Sequence, residues 1–245
     1  ALCEHVPAVK PQSAYYEMLG YEGVKALYKT IKYAKKRGMF VILDGKRNDI
    51  GSTMEAYASA YLGETQVGSE VYEPFGADAL TVSAYLGSDG VKPALELCRK
   101  NDKGIFILVK TSNPSSGELQ DREIDGAPVY RQMGDMCRVW GAQGIGAYGY
   151  SDVGAVVGAT YPAQLDQLRK ALPETFFLVP GYGAQGGQAE DVALAFDENG
   201  RGAIVNSSRA IMCAYKKEGC DERDYAQAAL REALRMKQEL NRYIK

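Results

Sequence analysis

Short apolar runs rich in β-branched residues alternate with amphipathic segments along almost the whole chain. Their hydrophobic positions are nearly continuous, which is typical of parallel strands covered on both faces. Between them lie helical patterns such as GVKALYKTIKYAKKRG, which ends at Gly38, and AQAALREALRMKQELNRYI near the C-terminus. The seven predicted strands are AVKPQ from Ala8, FVILDGK from Phe40, ALTVSAY from Ala79, GIFILVKTS from Gly104, GAVVGAT from Gly154, FFLVPGYG from Phe176 and GAIVNSS from Gly202.

Repeated strand-then-helix units predict either a doubly wound sheet or a (β/α)8 TIM barrel. Polar residues gather at the carboxyl ends of nearly all the runs, which is the active face of a barrel and favours that fold over a seven-stranded open sheet. A barrel needs eight strands, and the chain opens on what resembles the tail of a helix. We therefore expect the first strand to be missing from this chain. No linker or repeat divides it, so residues 1–245 are predicted to form a single barrel domain.

Composition narrows the class of protein. The 245 residues are 46% hydrophobic and 24% charged with a net charge of −2, which is ordinary for a globular protein with a core. No basic run predicts nucleic-acid binding, and no apolar stretch approaches 18 residues, so no membrane span is expected. Five cysteines without a C-x-x-C pair and a single histidine, His5, argue against a zinc site or disulfide framework. These features predict a cytoplasmic protein.

The apolar run from Phe40 changes character abruptly in LDGKRNDIGST. Asp44 and Lys46, two residues apart on a strand, point to the same side, and Asp49 follows in the loop. Ser52-x-x-Glu55 is a capping-box pattern that predicts a helix starting near Thr53. An isolated D-x-K-x-x-D pattern could equally be a solvated loop with a surface ion pair of little energetic value.

Chemistry favours a more specific interpretation of these charges. A lysine held between carboxylates stays protonated and can act as a general acid. The same carboxylates would repel an anionic substrate group and so favour its departure. That arrangement suits decarboxylation followed by protonation of a carbanion, whereas Schiff-base chemistry needs a neutral lysine amine. Lys10 occupies a similar strand-end position in AVKPQ.

Two later segments predict a phosphate site. FFLVPGYGAQGGQ ends in a glycine-rich turn, and the next strand runs into Ser207, Ser208 and Arg209. Glycine lets the backbone approach a ligand closely, and barrels often bind phosphate with their last two strand-to-helix loops. The alternative is that the glycines only serve tight turns. Residues 111–113 (Thr-Ser-Asn) also shape a turn, or contact the edge of a polar ring if they lie at the active end.

These motifs, VKPQ, LDGKRNDIGST, KTSNP and VPGYGAQGG with IVNSSR, resemble the orotidine 5′-phosphate decarboxylase family, specifically its longer bacterial subgroup. The resemblance covers essentially the whole chain. It implies a barrel whose homodimer shares its active sites, acting on the nucleotide orotidine 5′-phosphate in pyrimidine biosynthesis without a metal or an organic cofactor. The residue roles that the resemblance implies are Lys46 as proton donor to C6, Asp44 and the partner's Asp49 flanking it, Lys10 completing the charged network, Ile50 and Thr53 reaching across the dimer, Ser112 on the pyrimidine edge, and Gln185 and Arg209 at the phosphate.

The family's first strand also contains an aspartate that binds ribose, and this sequence begins too late to show a counterpart. Two rival functions stay open at this point. One is a sugar-phosphate decarboxylase or synthase that shares the D-x-K-x-x-D motif but needs magnesium. The other is a catalytically silent protein that binds nucleotide phosphates, although such a binder would gain nothing from crowding like charges.

Overall fold

The computed structural model describes residues 1–183 and 186–244, which group into two compact units. The N-terminal unit comprises Pro7–Leu108 and Trp140–Gly154. The C-terminal unit comprises Ala1–Val6, Val109–Val139 and Ala155–Lys245. Both contain parallel strands and helices, so the α/β class predicted from the sequence is confirmed.

The N-terminal unit begins with strands and helices that alternate as the sequence predicts. Its elements are β1 (Ala8–Val9), α1 (Ser13–Glu17), α2 (Gly20–Lys36), β2 (Phe40–Arg47), α3 (Gly51–Leu62), β3 (Thr65–Val67), β4 (Glu70–Tyr72), β5 (Ala79–Val82), α4 (Ser88–Asn101) and β6 (Gly104–Lys110), whose last two residues belong to the C-terminal unit.

In this unit β1, β2, β5 and β6 lie side by side in parallel. The register pairs Val9 with Val41, Leu43 with Leu80, and Leu80 with Ile105. Leu43 and Leu80 are fully buried, as expected of apolar strands covered on both faces. Neighbours along the sheet follow chain order without the reversal that defines a doubly wound sheet.

The C-terminal unit contains the remaining elements. They are β7 (Glu123–Ile124), β8 (Ala127–Pro128), α5 (Val129–Gly141), β9 (Val153–Val157), α6 (Pro162–Ala171), β10 (Phe177–Val179), α7 (Ala189–Ala193), β11 (Ala203–Val205), α8 (Arg209–Met212), α9 (Ala214–Glu218) and α10 (Tyr225–Leu240). The last two residues of α5 and the first two of β9 lie in the N-terminal unit. Strands β9, β10 and β11 are parallel and again follow chain order.

All seven predicted parallel strands are therefore present, and their order is consistent with a TIM barrel. Three local features differ from the sequence analysis. Helix α3 begins at Gly51 with Ile50 as its N-cap, so Ser52 lies inside the helix and forms no capping box. Residues 3–5 form a turn rather than the tail of a helix, with the His5 N–H donating to the Leu2 carbonyl at 2.9 Å.

The third difference is a pair of short antiparallel hairpins, β3–β4 and β7–β8, that the strand prediction missed. Strands β7 and β8 are joined by Asp125 and Gly126, which have φ values of 52° and 78°. Positive φ at both central residues defines a type I′ turn, for which Asp-Gly is a preferred sequence.

Candidate active site

Three charged side chains meet at the carboxyl end of β2 in the N-terminal unit, and we call Lys10, Asp44 and Lys46 the charged cluster. The Asp44 side chain is 8% exposed and forms an ion pair with each lysine, one per carboxylate oxygen. The distance from Lys46 Nζ to Asp44 Oδ1 is 2.5 Å. The predicted proximity of Asp44 and Lys46 is confirmed, and Lys10 joins them from the segment after β1.

Neutral groups complete the surroundings of Asp44. The Thr81 hydroxyl donates to Asp44 Oδ1 at 3.0 Å, and it accepts a hydrogen bond from the Lys46 backbone N–H at 2.9 Å. Ser13 donates to the Asp44 carbonyl at 3.3 Å. Sequence reasoning missed Thr81, although it is the only polar residue of β5 and lies on the strand paired with β2.

The environment sets the charge of the cluster. Burial opposes ionisation of Asp44, but the attraction and hydrogen bonds of Lys10 and Lys46 outweigh it and lower the pKa of Asp44 below its ordinary value. Asp44 is thus an anion at neutral pH. The Lys10 side chain is only 13% exposed, whereas that of Lys46 is 45% exposed. Lys46 is therefore the more accessible of the two lysines.

The backbone at Lys46 is unusual for a lysine. Its φ is 48°, in the left-handed region that non-glycine residues seldom adopt. The pairing of β2 with β5 shifts register between Leu43 and Arg47, so the strand bulges where the lysine projects. Such conformations cost on the order of 1 kcal/mol and concentrate at functional sites.

The charged cluster is followed along the chain by Asp49, Ile50 and Thr53, which do not form part of it. Within the residues that the structure describes, Asp49 forms no ion pair with Lys46, and its carboxylate accepts a hydrogen bond from the Ile50 N–H at 2.8 Å. Ile50 is 54% exposed, and Thr53 in the first turn of α3 is also exposed. Ile50 and Thr53 therefore face outward in the single chain, whereas Asp49 is half-buried.

Two of the predicted base and phosphate residues, Ser112 and Arg209, belong to the C-terminal unit. Ser112 lies in the loop after β6, where its carbonyl accepts a hydrogen bond from Thr160 at 3.3 Å. Arg209 is exposed and is the first residue of α8. Gln185, the other predicted phosphate residue, lies outside the described residues.

The glycine-rich segment after β10 turns back on itself. Gly181 and Gly183 have φ values of 100° and 73°, which side-chain-bearing residues rarely adopt. The Gly187 N–H donates to the Gly181 carbonyl at 3.1 Å and closes the turn. Tyr182 donates to Glu239 of α10 at 2.5 Å, and burial together with this carboxylate raises the pKa of Tyr182 to about 12. Helix α10 thus anchors the turn.

The strongest feature that sequence reasoning missed is Lys110, the last residue of β6. Its side chain is fully buried and its ammonium lies 2.6 Å from Asp121 Oδ1. The available signal was a lysine closing the otherwise apolar run GIFILVK. Lys110 is also the first residue of the KTSNP motif.

The described residues bear on cofactors and membranes in two ways. Across residues 1–183 and 186–244, no group of three or more His, Cys, Asp and Glu side chains is arranged to hold a metal ion. In the same part of the chain, no helix combines the length and apolar character needed to cross a bilayer. The predictions of a cofactor-free reaction and of a cytoplasmic location stay predictions.

Known proteins resemble the chain over nearly its whole length. The model of the orotidine 5′-phosphate decarboxylase / HUMPS family matches residues 1–219. An orotidine 5′-phosphate decarboxylase from Rhodopirellula baltica is 49% identical over 239 residues, which cover 96% of this chain and 78% of the relative. One from Caldicellulosiruptor bescii is 48% identical over 216 residues, covering 88% and 71%. The solved Leishmania donovani OMP decarboxylase shares 32% identity at a TM-score of 0.76, covering 97% of this chain and 83% of that one.

The parallel α/β fold and these relatives together define an enzyme of the carboxy-lyase class. More particularly, the chain belongs to the orotidine 5′-phosphate decarboxylase / HUMPS family, as its motifs predict.

Proposed function

We propose that this chain decarboxylates orotidine 5′-phosphate to uridine 5′-phosphate, the last step of de novo pyrimidine nucleotide synthesis, without a cofactor. The observation that supports this most directly is the charged cluster. A buried anion, Asp44, is held between two lysines, one of which is exposed to a ligand. The relatives named for this reaction, at up to 49% identity, support the choice of substrate.

The proposed reaction uses charge at both stages. The substrate carboxylate lies against Asp44, whose negative charge disfavours the bound ground state more than the transition state in which that charge is dispersed. When the C–C bond breaks, its electron pair stays on C6 of the pyrimidine and carbon dioxide leaves. The ammonium of Lys46 stabilises the C6 carbanion and then donates its proton, so that water must later reprotonate the amine.

Lys10 keeps Asp44 ionised through the reaction. Its side chain is largely buried against the Asp44 carboxylate, which compensates the cost of removing that anion from water. Lys46 can therefore change its charge during turnover while Asp44 keeps one fixed cationic partner. The two lysines therefore have separate proposed roles, since Lys46 donates the proton and Lys10 stays paired with Asp44.

Remote groups hold the nucleotide in place. We assign Ser112 to the edge of the pyrimidine, and Gln185 and Arg209 to the phosphate. An exposed guanidinium at the start of α8 offers a bidentate fork for phosphate oxygens. Binding energy gained at the phosphate can be used to press the pyrimidine carboxylate towards Asp44.

The active form is proposed to be a homodimer of TIM barrels. Exposure of Ile50 and Thr53, and the lack of an Asp49–Lys46 ion pair in the described residues of one chain, support a role for this segment in the partner's site. Asp49 would then flank the Lys46 of a second copy. The chain order of the parallel strands supports the barrel.

The test is the ultraviolet absorbance of orotidine 5′-phosphate incubated with the protein, with and without EDTA. Loss of the orotate band at the same rate in both samples is the expected result. Loss that EDTA prevents would favour a magnesium-dependent enzyme of the same family. Tight binding of uridine 5′-phosphate without any loss of the band would favour a silent binder.

A further inference from the structure

The buried lysine at the end of β6 has no part in the proposed chemistry, yet its contacts are extensive. Lys110 Nζ donates to Asp121 Oδ1 at 2.6 Å and to Ser116 Oγ at 3.2 Å. It also lies 4.3 Å from the centre of the Tyr161 ring. A fully buried ammonium needs such partners, because an uncompensated buried charge is strongly destabilising. The position of Asp121 is thereby tied to the end of β6.

The Lys110–Asp121 pair closes a loop. Residues 111–120 lie between the two partners, and Gln120 links the base of the loop a second time. Its side-chain oxygen accepts from the Thr111 N–H at 2.9 Å, and its amide donates to the Thr111 hydroxyl at 2.8 Å. Ser112 is the next residue, so these links fix the point from which it projects.

The other side of the loop is held by the segment after β9. Thr160 donates to the Ser112 carbonyl and Tyr161 donates to the Asn113 carbonyl, both at 3.3 Å. Gly158 approaches still more closely, because a Cβ atom added there would lie 2.9 Å from the backbone N and Cα of Ser112. The Tyr161 ring also packs against the Lys110 ammonium. This one side chain therefore contacts both Lys110, which precedes the loop, and the Asn113 carbonyl within it.

We propose that Lys110 and Asp121 are positioning residues that set the place of Ser112 and thereby the recognition of the pyrimidine base. The inference rests on the proposed function, in which Ser112 contacts the pyrimidine edge. Neither Lys110 nor Asp121 touches the nucleotide. Their effect is on base recognition alone, because none of their described contacts involves Arg209 or the glycine-rich turn.

The test compares the affinities of two ligands for an Asp121→Asn variant by titration calorimetry. Uridine 5′-phosphate has base, sugar and phosphate, whereas ribose 5-phosphate lacks the base. A loop displaced by about 1 Å is expected to weaken binding of uridine 5′-phosphate by about 10- to 100-fold. Affinity for ribose 5-phosphate should stay as in the wild type, and Asp121→Glu should restore most of the loss.

Glu118→Gln is the matched control, since it removes an exposed carboxylate from the same loop and should leave both affinities unchanged. Gly158→Ala, which pushes on Ser112 without touching the ion pair, should reproduce the selective loss. If Asp121→Asn does not fold, the double variant Lys110→Met with Asp121→Asn can be used instead, because it leaves no buried ammonium unpaired. Its affinities for uridine 5′-phosphate and ribose 5-phosphate then test the positioning role.

Equal losses for both ligands, or no loss for either, would overturn the positioning role. Failure of the proposed function has a different signature. In that case the wild-type protein itself, before any substitution is made, would leave the orotate band unchanged or would bind uridine 5′-phosphate no more tightly than ribose 5-phosphate.

Discussion

Two lysines, each at the carboxyl end of a parallel strand and each paired with an aspartate, differ in almost every other respect. The Lys46 side chain is 45% exposed and shares Asp44 with a second lysine. Lys110 is fully buried beneath aromatic rings and has Asp121 as its ion-pair partner among the described residues. Lys46 is placed where a ligand could contact it, whereas Lys110 is enclosed by its partners. Exposure and shared partners, rather than the ion pair itself, separate the proposed chemical role from the positioning role.

The largest expected effect is on turnover. Lys46→Ala removes both the proposed proton donor and the cation beside the carbanion, so kcat should fall by about a thousandfold or more. Steady-state loss of the orotate band measures this, and calorimetry should show product binding largely intact. Lys100→Ala, a change at an exposed lysine of α4, is the control. Near-normal turnover of Lys46→Ala would contradict the assignment.

The second effect is on stability, where we expect the variant at Asp121, the partner of Lys110, to lose more than the variant at Lys46. Asp121→Ala leaves the buried Lys110 ammonium without its carboxylate and should lower the free energy of unfolding by about 1–3 kcal/mol, a range that allows for the 41% exposure of the Asp121 side chain. Lys46→Ala leaves Asp44 still paired with Lys10 and should cost less than about 1 kcal/mol. Urea denaturation of both variants measures the difference. Equal losses would mean that the two ion pairs are energetically alike.

A third, smaller effect is a loss of affinity for the phosphate group with little change in the stability of the protein. Arg209→Ala should weaken binding of ribose 5-phosphate by about 10- to 100-fold, the value of a charge-assisted contact of about 1.5–3 kcal/mol. The free energy of unfolding should change by less than about 0.5 kcal/mol, because the side chain is exposed. Arg223→Ala is a matched exposed control. A collapse of the circular dichroism signal in Arg209→Ala would make Arg209 structural instead.

The smallest effect is a pH dependence of stability. The folded-state pKa of Asp44 lies below its ordinary value, so the paired carboxylate stabilises the protein above pH 3.8. That contribution is lost as the pH falls through the lowered pKa, when Asp44 takes up a proton. The free energy of unfolding, measured by urea denaturation at several pH values between pH 6 and pH 3, should therefore change less with pH for Asp44→Asn than for the wild type. An Asp44→Asn variant whose free energy of unfolding depends on pH as strongly as that of the wild type would contradict the prediction.

Much of the fold could be predicted because it depends on periodicity. Apolar runs located all seven parallel strands, and α2 and α10 were found from their helical spacing. The hairpins were missed because each strand has only two or three residues and is mostly exposed. Asp125-Gly126 was nevertheless a usable signal, since its type I′ turn depends on those residue types.

The candidate site was predictable only where function depends on residues close in the chain or on a family motif. Spacing along β2 brought Asp44 and Lys46 together. Lys10 lies 34 residues from Asp44, so its contact depends on the pairing of strands. Thr81 and Lys110 could not be assigned because hydroxyls and lysines are common at strand ends, and only burial reveals which ones are enclosed.

The left-handed backbone at Lys46 implies a conflict between durability and activity. At a φ of 48°, glycine or asparagine would relieve the steric penalty that lysine incurs at this bulge. A search for heat-resistant variants would therefore tend to select replacements at this position, and the proposed proton donor would be lost. Thermostabilisation of this enzyme is best directed elsewhere, because a residue poorly suited to its backbone is the one to which the reaction is assigned.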